Sequence, residues 1–219
     1  MFLGVTWLLL QGSPLQLDVP ASLVQRLSSL RGRVLTFGSS NWVSRPLPLV
    51  MTGGDPHIRA LMRTISASES NTDNPYALLY GGKTVNNLSR HPEQCITITN
   101  GPNQGNCSTA AGRYQMINHT WYREARKYHP SPPPNYAFWG SYSFAPVYQD
   151  EVVHAWLSDS SVWGMDIATT LAAGDVNSVL KRLSSTWTSL GYGIETNSMS
   201  SQLPRIYQEM LAEELAAAE

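Results

Sequence analysis

The chain has 219 residues, 42% of them hydrophobic and 14% charged, and a formal net charge of −1. This length predicts one compact domain with an extension, and the composition supports a sizeable core and excludes a disordered profile. A near-neutral charge without a basic cluster carries no electrostatic footprint for nucleic acid, so no nucleic-acid partner is expected.

The chain begins with an apolar run, Phe2 to Leu10. It is too short to span a bilayer as a helix, and no Lys or Arg precedes it, so it makes a poor signal peptide. A truncated signal, an anchor fragment and a strand all stay open. Between Asp18 and Arg31, Leu23, Val24, Leu27 and Leu30 fall at helical spacing, with Gly32 as the stop. Val34 to Trp42 and Leu47 to Met51 read as strands. Residues 1–55 are expected to form an N-terminal extension with no assigned chemistry, and residues 56–219 the main domain.

Asp55-Pro56 opens the first strong helix, because Asp caps free N–H groups and Pro suits the first helical position. Ile58, Leu61, Met62 and Ile65 form an apolar stripe at helical spacing. Glu69 lies four residues beyond Ile65 and continues that stripe. Burial and the negative end of the helix dipole both disfavour a carboxylate there, which suits a proton donor at neutral pH. The competing reading is a surface Glu at a fraying helix end.

Ser70 to Lys83 reads as a loop. Cys95 and Cys107 then bracket Asn100-Gly101-Pro102-Asn103-Gln104-Gly105, a dense turn signal between short β-prone runs. A hairpin could bring the two sulfurs together, and a disulfide would imply an oxidising compartment; two reduced thiols are the alternative. Two Cys without a matching His pair make a poor metal site, so neither metal nor cofactor is expected.

His119 to Tyr128 reads as a helix. Residues 129–145, rich in Pro and aromatics, read as an ordered loop over the domain, with a partner groove as the lesser role. Four further helices are expected over Pro146–Ser158, Val162–Ala173, Val176–Leu190 and Leu203–Ala217. Gly174 ends the second of these, Asp175 caps the third, and Gly191-Tyr192-Gly193 breaks the pattern before the last.

The chain has no P-loop, no Rossmann glycine fingerprint, no His-Glu-x-x-His and no Gly-x-Ser-x-Gly elbow. The five histidines, at 57, 91, 119, 129 and 154, show no ligand spacing and read as structural. The acid chemistry at Glu69 is what remains.

Residues from about 57 to 216 resemble the phage lambda endolysin type of lytic transglycosylase, in the lysozyme superfamily. The resemblance rests on Ser68-Glu69, His91-Pro92, Ala111-Gly112-Arg113-Tyr114-Gln115 with Trp121, Gln149-Asp150, Leu183-Ser184 with Trp187-x-Ser189-Leu190, and Gly191-Tyr192-Gly193, in family order. It implies an α+β, lysozyme-like fold, mostly helical, with a glycan cleft. The hairpin Ile96 to Ala110 would form one lip and Gly191-Tyr192-Gly193 the other. The family's catalytic acid falls on Glu69. Contacts to the glycan are expected from Ser68, Tyr76, Ser108, Thr109, Tyr114, Gln115, Gln149 and Tyr192, with Tyr114 and Gln115 on the floor near the acid. The resemblance also implies a monomer acting on peptidoglycan glycan strands. The extension and the Cys pair depart from the phage enzyme. They point to a cellular, envelope-facing relative working in the periplasm or outside the cell.

Ordinary glycosidases need two carboxylates at set separations. Asp73, Glu93 and Asp150 are the available seconds, and none matches a family catalytic position. One carboxylate suffices for a lytic transglycosylase, which closes a 1,6-anhydro ring on N-acetylmuramic acid. The alternatives are a hydrolytic muramidase of the same fold and a non-catalytic wall-binding module. Retention of both Glu69 and Gln115 argues against the latter.

Overall fold

The computed structural model describes residues 45–101, 103–134, 140–192 and 198–218. The elements expected before residue 45, part of the Pro-aromatic stretch, and Gly193 lie outside them. The compact unit runs from Val43 to Glu219.

Helix α1, Pro56–Glu69, is the axis of this unit. Asp55 caps it as expected, its carboxylate accepting from His57 N at 2.8 Å and Ile58 N at 3.1 Å. The stripe Ile58, Leu61, Met62 and Ile65 is wholly buried. It packs against α7, Leu203–Ala218, which contributes Leu203, Ile206, Tyr207 and Met210. Two arginines of α1, Arg63 buried and Arg59 partly so, tie the same two helices. Arg59 Nε meets Glu214 at 2.6 Å, while Arg63 reaches Glu214 at 3.0 Å and Glu213 at 2.6 Å.

Leu47 to Met51 does not form a strand. Pro46 and Pro48 have no N–H to give to a ladder. Side chains of the helical unit take the segment's backbone groups instead. Arg63 donates to Pro46 O at 2.9 Å and Arg113 to Pro48 O at 2.9 Å, with a second Arg113 bond to Leu47 O. Arg59 donates to Met51 O and Gly53 O. Asp150 accepts from Val50 N at 2.8 Å and Met51 N at 3.3 Å. The boundary expected at residue 55 therefore falls after a segment already clamped to the domain.

The hairpin pairs β1, Ile96–Thr97, with β2, Cys107–Ser108, antiparallel, Ile96 facing Ser108 and Thr97 facing Cys107. Cys95 and Cys107 are disulfide-bonded, with Cα atoms 5.3 Å apart. Helix α2, Asn118–Tyr128, follows, and then α3, Pro146–Ser158. Trp121 of α2 meets Phe144 edge-on at 4.7 Å, and Phe144 in turn meets His91 at 4.8 Å.

Two expected helices are each broken. Val162–Ala173 becomes α4, Ser160–Trp163, and α5, Ile167–Ala172. Gly164 turns left-handed at φ 64°, and Asp166 starts a new cap on Thr169 N at 2.9 Å. Val176–Leu190 ends as α6 at Leu183, and the chain then forms a tight turn over Thr188–Leu190. Ser184, Ser185 and Thr186 compete with the helix for backbone partners there. Among the described residues no helix is long and apolar enough to cross a membrane.

Candidate active site

Glu69 is the last residue of α1, half-buried, on the wall of a cleft of about 790 Å³. One lip is the hairpin, which contributes Ile98, Asn100, Asn103 and Ser108; the other is the segment Thr186–Ser189. The expected second lip was Gly191-Tyr192-Gly193. Among the described residues it lies a few positions earlier, because α6 stops at Leu183. Trp187 anchors this lip by donating its indole N–H to Tyr114 O at 2.9 Å. The Ser189 hydroxyl donates across the cleft base to Glu69 Oε1.

Gln115 lines the cleft. It holds a left-handed backbone at φ 44°, a conformation a non-glycine residue keeps only when its surroundings enforce it. Its amide nitrogen donates to Gly112 O at 3.0 Å and leans toward Leu78 O at 3.4 Å. Both amide hydrogens are thus engaged, and among the described residues Oε1 has no bonded donor. Ser68 and Ser108 also line it.

Tyr76, Tyr114 and Gln149 were expected to touch the glycan; the structure puts them in the scaffold beneath. Gln149 is buried, accepting from Arg113 N and donating to Tyr76 O and Phe144 O. Tyr114 is 1% exposed and gives its hydroxyl to Asp150 at 2.6 Å. Tyr76 gives its hydroxyl to the same carboxylate at 2.7 Å and accepts from Arg113 at 2.8 Å. Burial, with the Asp150 charge beside them, holds both phenols above their ordinary range, so both stay neutral donors. Thr109 is not on the cleft either. It donates to Asn118 Oδ1 at 3.0 Å and accepts from Asn118 N, joining the hairpin to the start of α2. Tyr192 is 58% exposed, bonded to Asn177 Oδ1 at 3.2 Å and outside the described cleft lining.

The buried network and the cleft share one turn. Arg113 clamps the Leu47–Pro48 segment with its guanidinium and accepts Ser70 Oγ on its carbonyl at 2.6 Å. Ser70 follows Glu69 directly. The Gly112–Gln115 turn therefore fixes the end of α1, the floor residue Gln115 and, through Tyr114 O, the opposing lip. Asn100, Asn103 and Thr186 reach the cleft without having been singled out as contacts. The Asn-rich turn was the only signal for the first two.

Among the described residues no group of His, Cys, Asp and Glu could hold a metal ion. Among the described residues the cleft offers one half-buried acid, neutral hydroxyl and amide groups, and an open trough of about 790 Å³. That donor set suits an uncharged, hydroxyl-rich chain.

Comparison with known proteins agrees with this geometry. A family profile described as Endolysin matches residues 59–213, more than half of the chain. The structure of bacteriophage lambda lysozyme complexed with a chitohexasaccharide is similar at a TM-score of 0.53 and 25% identity, covering 73% of this chain and 97% of that one. Another structure of lysozyme from bacteriophage lambda shows 20% identity and a TM-score of 0.49, covering 76% and 97%. No curated protein sequence matches the chain. With the family match running from within α1 through the hairpin and both lips into α7, the chain belongs to the Endolysin family and is a lysozyme-like glycosidase that cleaves peptidoglycan.

Proposed function

We propose that the protein is a lytic transglycosylase in which Glu69 serves first as acid and then as base. The observation that carries this reading is that Glu69 is the one carboxylate among the described residues lining the cleft. Asp73 and Glu93 are exposed and away from it, and Glu93 accepts the Tyr122 hydroxyl. Asp150 is buried and filled by four donors. The second carboxylate that an inverting hydrolase uses to activate water, or a retaining one uses as nucleophile, has no occupant among these residues.

Glu69 would give its proton to the oxygen bridging N-acetylmuramic acid and N-acetylglucosamine. The C1–O bond breaks, and the N-acetylglucosamine side leaves with a new hydroxyl. The muramoyl N-acetyl oxygen supports C1. The Glu69 carboxylate then takes the proton from the C6 hydroxyl as O6 bonds to C1. The acid is restored, and no water is consumed. Gln115 Oε1 is suited to accept from a sugar hydroxyl or an N-acetyl N–H. The bound hexasaccharide of the lambda enzyme supports a glycan in this trough. A substrate of this kind is met in the cell envelope, in the periplasm or outside the cell.

Glu69→Gln preserves shape but cannot donate the proton, and general acid help is worth about 10²–10⁴-fold. Clearing of purified wall should fall by that factor, with the melting temperature nearly unchanged. Asp73→Asn and Glu93→Gln should clear the wall as the parent does. Glu195 lies outside the described residues, and Glu195→Gln is tested beside them. Loss of cleavage in any of these three, with the fold intact, would favour a two-carboxylate hydrolase.

A further inference from the structure

We infer that Ser189 and Ser68 are positioning residues that hold Glu69 in place in both of its protonation states. This rests on the acid-then-base role given to Glu69 above. Ser189 comes from the opposing lip, 120 residues along the chain, and its Oγ is bonded to Glu69 Oε1. The same Oγ lies 3.0 Å from Ser68 Oγ. Ser68 Oγ in turn donates to Ile65 O at 3.0 Å.

Among the described partners, counting protons shows what these bonds can do. Each hydroxyl has one proton to give and lone pairs to accept with. The Ser68 proton lies on Ile65 O, so Ser68 meets Ser189 only as an acceptor. The Ser189 proton therefore goes to Glu69 or to Ser68. When Glu69 is a carboxylate, Ser189 donates to Oε1. When the proton sits on Oε2, Oε1 is a carbonyl and keeps the same donor. When it sits on Oε1, Ser189 accepts it and turns its own O–H toward Ser68. All three arrangements use the same heavy-atom positions.

A group that must be acid in one step and base in the next needs such a partner. An Arg or Lys in place of Ser189 would favour the carboxylate alone and lower the pKa. A hydroxyl donor fixes the rotamer without committing the proton. Ser189 is itself held in advance. It is 8% exposed, its carbonyl accepts Ser200 Oγ at 3.0 Å, and the neighbouring Trp187 is tied to Tyr114 O. A donor fixed beforehand costs little reorganisation when the reaction occurs.

The test is steady-state kinetics on purified glycan strands across pH for Ser189→Ala, Ser189→Thr and Ser68→Ala, with melting temperatures. A hydrogen bond to a charged group is worth roughly 10- to 100-fold in rate. Ser189→Ala should lose that much in kcat with KM within about twofold, and Ser189→Thr should recover most of it. Ser68→Ala removes an acceptor used only when Glu69 is protonated, so the basic limb of its kcat/KM profile should move to lower pH. Parent-like kcat in Ser189→Ala, an equal loss in Ser189→Thr, or an unmoved basic limb in Ser68→Ala would overturn the inference. If Ser189→Ala does not fold, the Ser68→Ala profile decides alone. Glu69→Gln is run in parallel. Its activity would overturn the role of Glu69 itself, whereas an inactive Glu69→Gln beside a parent-like Ser189→Ala would overturn only the part given to the serines.

Discussion

At the scale of single residues, Gly112 shows how closely the site is built on its scaffold. It holds φ 74°, and a Cβ there would come within 2.3 Å of Gln149 Oε1 and 2.7 Å of Phe144 Cζ. Gly112→Ala would therefore combine backbone strain with overpacking of a buried hydrogen-bonded amide. We expect a loss of about 3 kcal/mol, read as a lower denaturant midpoint at unchanged slope. The cleft should lose activity with it, because the same turn carries Gln115. The residue types of this motif were legible in the sequence, but their division of labour was not. Tyr114 and Gln115 are adjacent, yet one is sealed under the turn and the other faces the cleft. The backbone turns left-handed at Gln115, between the buried and the cleft-lining position. The sequence leads one to expect Tyr76, Tyr114 and Gln149 as contacts to the glycan. It does not show that they hold up its floor from below.

At the scale of elements, helix ends with a capping residue or a Pro were the most legible, as Asp55-Pro56 and Pro146 show. Breaks inside a periodic run were not. The Val176–Leu190 pattern stays apolar at helical spacing, yet the helix stops at Leu183 so that Trp187 can reach Tyr114 O. That tertiary bond is what brings Ser189 over Glu69. The hairpin lip has two-residue strands, continued by Ile98 N donating to Asn106 O and Gly105 N to Ile98 O, and the Cys95–Cys107 bridge closes its base. A bridge closing so short a loop stabilises by on the order of 3 kcal/mol at best. Reduction should lower wall-clearing activity at a temperature where far-ultraviolet circular dichroism still reports a folded domain. Equal loss of both signals would show that the bridge holds the whole fold and not the lip.

Two His-Pro steps give another prediction at this scale. His91 presents Nε2 to Met116 O at 2.9 Å and receives Glu93 N on Nδ1 at 3.1 Å. His129 does the same with Ser143 O and Ser131 N, both at 3.1 Å. A carbonyl on one nitrogen and an N–H on the other fit only the neutral ring. Burial is the leading cause that lowers both below the ordinary value of 6.5. The unfolded chain therefore binds protons at a pH where the native state does not. Their contribution is fully present above about pH 6.5 and is lost as the pH falls below it. Melting temperature should drop between pH 7 and pH 5, and His91→Gln should flatten that slope. An unchanged slope would remove His91 from the account.

At the scale of the whole molecule, the domain depends on a segment that lies before its first helix. Asp150 accepts from Tyr76, Tyr114, Val50 N and Met51 N, so all its partners are donors. Asp150→Asn would turn an amide N–H₂ against at least one of them. A buried donor facing a donor costs about 3 kcal/mol. Activity should fall with stability here, unlike the loss expected at Glu69. For the same reason, a chain cut to begin at residue 55 should melt well below one cut to begin at residue 45. It would leave the Arg63, Arg113 and Asp150 bonds without their backbone partners. Equal melting of the two would show that the clamp contributes nothing. The proline pair at 46 and 48 hinted that no ladder forms here. Nothing in the local pattern named the arginines that replace it, because they arrive from 17 and 65 residues away.

The central claim is that one carboxylate cleaves the glycan without water, and it is tested most directly by the mass of the product. Wall digested by the purified protein should release muropeptides whose terminal muramoyl residue is the 1,6-anhydro form, one water lighter than a hydrolysed end. In water enriched with oxygen-18, these ends should take up no label at C1. Reducing muramoyl ends carrying one heavy oxygen at C1 would contradict the account and make the protein a hydrolytic muramidase.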